Sequence, residues 1–393
     1  MRLQLKNKNW RMVKIKEIGK VITGKTPSTF DSSNFGGPYP FITIPDLKNQ
    51  RYIEKTERTL SEKGTRVMKN LKLPPKAVMV SCLATVGEIG ITVKESFTNQ
   101  QINSVICNED KVVPEFLYYY FKYAKLRLLK YSGSVYTNIS KSKFEDFEIE
   151  IPQDINEQRR IAEILSAFDE KIELNNKINQ ILEEMAQAIF KEWFVKSEKL
   201  KMKSEKLSNL VDTQYGYTQT ASDKEIGPKF LRVKDINKAN WIDWNSVPYC
   251  RIGEENFKKY KLKKGDIVIA RMADPGKVGI IEREINAVFG SYLIRLQIKS
   301  SKITPCFLYY YLKSPLYQNF ILGVSTGTTR KSINAKMMVN CNILIPPREI
   351  LEKFEMIISG IRQKINLNLV ENQKLSALRD LLLPKLMSGE IRV

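Results

Sequence analysis

The stretch Asn156–Val195, NEQRRIAEILSAFDEKIELNNKINQILEEMAQAIFKEWFV, decides the architecture. It contains no Gly and no Pro, and its apolar residues recur at alternating spacings of three and four, which marks one face of a helix. Asp154, with Glu157 three residues on, reads as an N-cap closed by a capping box. A helix of that length is a rod of roughly 60 Å. A rod so long either spans something or pairs with something.

The rod has a second copy. KIELNNKINQ from Lys171 returns as KINLNLVENQ from Lys364, behind Pro346-Pro347, and Pro384 is expected to end or kink the second rod. What precedes each rod also repeats. FITIPDL (Phe41–Leu47) returns as FLRVKDI (Phe230–Ile236), the strand Val78–Val80 as Ile267–Ile269, and GEIGI (Gly87–Ile91) as GKVGI (Gly276–Ile280). FLYYYF at Phe116 returns as FLYYYL at Phe307. An ordered series of this kind is a duplication. Phe41–Ile44 and Val78–Val80 read as strands, Pro114–Leu129 as one aromatic amphipathic helix, and Lys196–Lys206 as a charged linker or frayed helix end. The expected order is a mixed domain (1–151), a rod (152–198), a second mixed domain (199–346) and a second rod (347–393).

Heptads fitted to the rods place Asn175/Asn179 and Asn368/Asn372 in otherwise apolar seams. An asparagine there costs stability but fixes register. Chain order makes the pair antiparallel. The register that opposes the asparagines, Asn175 to Asn372 and Asn179 to Asn368, also opposes Ile161 to Leu386, Leu165 to Leu382, Ile172 to Leu375, Leu182 to Ile365, Ala186 to Ile361, Ile189 to Ile358 and Trp193 to Phe354. Only Phe168 opposite Arg379 breaks the apolar set. The fold expected is α+β: two similar mixed α/β domains joined by two long antiparallel coiled-coil helices, a pseudo-twofold dumbbell. Self-pairing of each rod with a second copy of the chain is the alternative.

Composition narrows the function. The chain has 393 residues with 64 Lys+Arg against 43 Asp+Glu, a formal charge of +21. This favours an anionic partner, nucleic acid before a membrane surface; mere solubility is the plain alternative. No stretch approaches the ~18–20 apolar residues of a membrane span, and the basic N-terminus lacks the apolar run of a signal peptide. Five scattered Cys without a CxxC fit a reducing cytoplasm and no structural zinc. The absence of His removes Ser-His-Asp and Cys-His catalysis and His-metal sites together.

Two repeated polar loops are the candidate DNA contacts. Thr23–Thr29 is matched by Tyr215–Gln219, and Ser134–Lys143 by Thr328–Lys336. Their candidates are Lys25, Thr26, Ser28, Thr29, Tyr136, Thr137, Asn138, Lys141 and Lys143 in the first copy. In the second they are Tyr217, Thr218, Gln219, Arg271, Thr328, Thr329, Arg330, Lys331 and Lys336. Small hydroxyls and Lys suit phosphates, while Arg, Asn and Gln can read base edges. The copies keep a Gly and an Ile and vary the residues between them, as two readers of different sequences on one scaffold would; solvated turns are the bland reading. The Tyr clusters Tyr118–Tyr120 and Tyr309–Tyr311 read as core packing ahead of base stacking. Gly19–Thr26 matches the P-loop pattern GxxxxGK[ST], but Pro27-Ser28-Thr29 follows where a helix must begin, and the second copy has no Lys. A nucleotide-binding enzyme therefore stands as a weak alternative, beside a coiled-coil scaffold without sequence readout.

GKTPS (Gly24–Ser28) with FITIPDL, IPQDINEQRRIAEILSAFDEKIELNN (Ile151–Asn176) and LRDLLLPKLMSGEIRV (Leu378–Val393) carry a resemblance to the specificity subunits of type I restriction-modification systems. The resemblance implies two target recognition domains that each read half of a bipartite site in double-stranded DNA, with the rods as spacers. It implies docking of a pair of modification (methyltransferase) subunits and a pair of restriction subunits. S-adenosylmethionine, ATP and magnesium would belong to those partners, leaving this chain with no catalytic residue, no metal and no cofactor of its own. Gly216 lacks the Lys and Pro of the GKTPS loop, so the second domain departs from the pattern.

Overall fold

The computed structural model describes residues 9–48, 50–131, 138–196, 201–325 and 332–393. They form two compact units: Met1–Lys171 with Leu375–Val393, and Ile172–Lys374. Each unit holds a portion of both rods, because each portion packs on the mixed domain beside it.

In the first unit a five-stranded sheet runs in the order Gly19–Thr23, Ile102–Cys107, Val78–Ser81, Ile89–Thr92, Tyr52–Ile53. Its centre is apolar on both faces: Val78 pairs with Val105 on one side and Ile91 on the other, and all three are fully buried. In the second unit the strands Val211–Tyr215, Leu293–Ile298, Ile267–Ala270 and Val278–Ile280 repeat that order, with Ile267 between Leu296 and Ile280. A helix of four residues follows the repeated FITIPDL and FLRVKDI motifs' first strand. Thr43 N–H and its hydroxyl donate to Asp46; Arg232 N–H and its guanidinium donate to Asp235. Ile44 therefore starts a helix, Ile44–Leu47, and does not extend the strand Phe35–Ile42.

Other local expectations also change. Pro114–Leu129 is two helices, Pro114–Tyr123 and Lys125–Tyr131. Part of the expected linker, Lys203–Lys206, is a strand antiparallel to Asn342–Ile345, as Trp10–Lys14 is to Glu148–Pro152. The tyrosines Tyr118–Tyr120 and Tyr309–Tyr311 are buried in the two cores. Among the described residues no helix is long and apolar enough to cross a membrane.

The first rod is an α-helix over Ile155–Phe190 that closes in a π-helical turn, Lys191–Val195. Asp154 caps it by accepting from Asn156 N–H at 2.9 Å. Glu157 does not close a box; it accepts from the Trp10 indole at 3.2 Å. The second rod, Arg348–Met387, runs through Pro384 instead of stopping there. Proline removes one N–H, and this position lies within a turn of the helix end, where little ladder remains to lose.

In the second unit the asparagines meet across the rods: Asn175 Nδ2 donates to Asn372 Oδ1, and Asn368 Nδ2 to Asn179 Oδ1, both at 2.8 Å. Ala186, Phe190, Leu351, Phe354 and Ile358 extend the seam into the core. In the first unit Ile161, Leu165, Leu383 and Leu386 do the same.

Each unit also buries an ion pair between the rods. Glu183, fully buried, accepts from Arg362 Nη1 at 2.7 Å, Lys313 Nζ at 2.6 Å and Tyr310 Oη at 2.9 Å. Asp169 accepts from Arg379 and, at 2.8 Å, from Tyr119 Oη, with Lys122 Nζ 3.8 Å away. Arg379, which broke the apolar set opposite Phe168, is thus answered by the next residue. Burial alone would favour the neutral acids. The charges of Lys122 and Arg379 on Asp169, and of Lys313 and Arg362 on Glu183, outweigh it and hold both pKa values below the ordinary carboxylate range.

Candidate DNA interface

At one end of the first unit's sheet four segments converge, and main-chain hydrogen bonds hold them. Gly24 N–H donates to Ile102 O and Lys25 N–H to Thr98 O; Cys82 N–H donates to Gln101 O and Ile139 N–H to Cys82 O. The second unit makes the same four bonds with different residues: Gly216 to Leu293 O, Tyr217 to Phe289 O, Arg271 to Tyr292 O and Ile333 to Arg271 O. A β-bridge joins Leu83 to Asn138 in one unit and Met272 to Ser332 in the other.

Both glycines are required by close approach. A Cβ on Gly24 would lie 2.2 Å from Thr98 O, and one on Gly216 would lie 2.1 Å from Gly290 O. The turn after the central strand repeats a rarer feature. Ala84 and Ala273 both sit in the left-handed region, at φ 64° and 65°, a conformation uncommon for residues with a Cβ and concentrated at functional sites. The kept isoleucines, Ile139 and Ile333, are buried pins.

On this frame the first unit exposes Lys25, Ser28, Thr29, Asn138, Lys141 and Lys143. Thr26 is half-buried and its hydroxyl donates to Gln100 at 2.6 Å. Lys141 lies 3.6 Å from Glu145. The second unit exposes Thr218, Gln219 and Lys336. Tyr217 is half-buried, its ring 5.3 Å from that of Tyr260, and Gln219 donates to Arg251 O. Arg271 stands where the first unit has Cys82. Its guanidinium lies 5.1 Å over the Tyr215 ring, and the Tyr215 hydroxyl accepts from Ala335 N–H at 2.9 Å. Tyr136, Thr137, Thr328, Thr329, Arg330 and Lys331 lie outside the described residues.

Loop motifs alone miss three neighbours: Phe30, whose side chain is fully exposed beside the Gly24–Thr29 loop, Gln100, and Tyr292, which is half exposed. The last two lie in the segment just before a core strand, Gln100 two residues ahead of Ile102 and Tyr292 one ahead of Leu293, a signal the loop motifs do not contain. The P-loop reading fails on geometry. Gly19–Thr23 is a strand, and no helix starts at Lys25 to aim its N–H groups at a phosphate.

The repeat has a counterpart among known proteins. Residues 7–184 and 201–378 each match the family described as type I restriction modification DNA specificity domain. The chain belongs to this family. A type I restriction enzyme specificity subunit of Methanocaldococcus jannaschii is 31% identical over 98% of the chain and 94% of its own length. One of Haemophilus influenzae is 36% identical over 42% of the chain and 35% of its own length. The crystal structure of the type I restriction-modification S subunit from M. genitalium shares the fold, with a TM-score of 0.62 at 18% identity over 98% of both chains.

Proposed function

We propose that this chain is the DNA-recognition subunit of a type I restriction-modification complex. Residues 1–151 and 199–346 serve as target recognition domains, each reading half of a bipartite site in double-stranded DNA. The rods, 152–198 and 347–393, set the separation of the half-sites and dock two modification and two restriction subunits. Adenine methylation, with S-adenosylmethionine, and ATP- and magnesium-dependent cleavage are the partners' chemistry. The complex works in the cytoplasm, where the five free thiols stay reduced.

One observation carries this reading: two copies of one main-chain frame present different side chains at the same place. Lys25 corresponds to Tyr217, and Cys82 to Arg271. Phosphate contacts position a protein, and base contacts specify a sequence. A frame held constant while its side chains change supplies both. Lys25, Ser28, Thr29, Asn138, Lys141, Lys143, Thr218, Gln219, Arg271 and Lys336 are the proposed contacts, with Thr26 and Tyr217 supporting them; Phe30 joins them as a stacking group.

The test is to map methylated adenines in host DNA with the native chain and with Arg271→Ala. The expected result is an altered or relaxed sequence at one half-site and an unchanged other half. Methylation at unchanged sites at the native rate would exclude Arg271 from readout. A complex that methylates with no sequence preference at all would reduce the chain to a scaffold.

A further inference from the structure

The two inter-rod ion pairs have the same polarity: the carboxylate lies on the first rod both times (Asp169, Glu183), and the arginine on the second (Arg379, Arg362). The duplication alone would not produce this. The rods align at the offset that sets Lys171 on Lys364, so Asp169 corresponds to Arg362, Ala186 to Arg379 and Glu183 to Ser376. The charge at the shared position has opposite sign in the two copies.

That inversion matters for self-pairing. Because the rods are repeats, a first rod could take the place of a second rod and pair with another first rod. Glu183 of one copy would then face Asp169 of the other, where Arg362 now stands. Two second rods paired in the same way would set Arg379 against Arg362. Each self-pairing therefore buries like charges together, twice by symmetry; Lys122 beside Asp169 at 3.8 Å and Glu282 on Arg362 at 2.5 Å offset them only in part. Buried charges without a partner are strongly disfavoured, and juxtaposed like charges are a known means of excluding a wrong partner. The asparagine layers do not discriminate in this way, since both rods carry them.

We propose that Asp169, Glu183, Arg362 and Arg379 are pairing-specificity residues that restrict each rod to the opposite rod and exclude a second copy of itself. Half of this chain thus cannot complete itself by dimerising. This inference stands on the rods alone and does not depend on what the domains read.

The test uses the full chain carrying one protease site between Lys196 and Lys201, cut after purification so that both halves remain present. Native mass spectrometry then counts the species after dilution and re-concentration. The native protein is expected to give only the mixed pair of halves. In Asp169→Arg combined with Arg379→Glu, the mixed pair keeps opposite charges in the first unit, while each self-pairing also gains an opposite-charge match. The self-paired species should rise at least tenfold relative to the mixed pair. Should that variant fail to fold, judged by circular dichroism of the uncut chain, Asp169→Asn combined with Arg379→Gln removes both like-charge contacts and should raise self-pairing in the same direction. Abundant self-paired halves in the native protein would overturn the proposal. So would exclusive mixed pairing in a folded variant, which would move the discrimination to the apolar seam.

Discussion

The two units solve one packing problem with unequal means. In the second, Glu183 is fully buried, and its Arg362 partner is almost fully so. In the first, Asp169 and Arg379 are more open, at 9% and 14% side-chain exposure, and Lys122 stands back at 3.8 Å where Lys313 is in contact at 2.6 Å. The interface edges differ in the opposite sense. Their main-chain frames make the same four hydrogen bonds, while their side chains share little. Where the rods must hold, the chemistry is constrained. Where the loops meet solvent, it is free.

The largest break in this comparison should come from Glu183→Ala. It takes the nearly enclosed carboxylate from Arg362 and Lys313, leaving them Glu282 at 2.5 Å and the Asn240 amide oxygen at 2.9 Å, and should cost about 4 kcal/mol, as removing one member of a buried pair does. Asp169→Ala should cost about half of that, because Arg379 can turn to water and to Asp380, which it already contacts. Chemical denaturation of the two variants checks the order; equal losses would mean that the difference in burial has no energetic weight.

Next come the glycines. Gly24→Ala and Gly216→Ala each drive a methyl into carbonyl oxygens and should each cost about 3 kcal/mol, measured by the same unfolding curves. These two effects should match, in contrast to the acids, because the frame is the shared part. A tolerated alanine at either site would show that the loop shifts freely there.

Acid should sharpen the rod comparison further. Both carboxylates have folded pKa values below their unfolded ones. The stability they supply is therefore complete above the ordinary carboxylate range, near pH 4, and is lost as the pH falls through the lowered folded values. Unfolding free energy should decline below about pH 4, and Glu183→Gln should flatten that decline more than Asp169→Asn does. A native-like slope in both variants would assign the acid sensitivity to other groups.

The smallest effect belongs to the proposed contacts. Arg271→Ala removes a half-buried side chain stacked on Tyr215; it should cost about 1 kcal/mol of stability and roughly 1–3 kcal/mol of base discrimination, read by competition binding of the assembled complex against sites altered in one half. Lys25→Ala should instead weaken binding to all sequences alike and reduce its salt dependence.

Much of this was legible in residue order. Repeats set at a nearly constant offset fixed the duplication, because a fold copied whole keeps its spacing. The asparagines located the register, because an amide in an apolar seam must meet another. Glu183 was not legible. It sits beside Glu184 in a run that reads as solvated surface, and the distant residues Arg362, Lys313 and Tyr310 make it interior. The fate of Arg379 was hidden for the same reason, since its partner Asp169 lies one step off the heptad position. At the interface the loop pair around Gly24 and Gly216 could be found by matching. That Thr98–Gln101 and Phe289–Tyr292 stand between the loops depended on strand order, which no local pattern encodes.

The four main-chain bonds that frame each edge have a consequence for descent. A backbone bond carries no memory of the side chain attached to it. Exposed positions such as 25, 28, 143 and 336 can drift through the genetic code without loosening the scaffold. Natural selection can thus treat the recognition surface and the fold as separate inheritances, changing what is bound in single steps while every intermediate remains a folded protein.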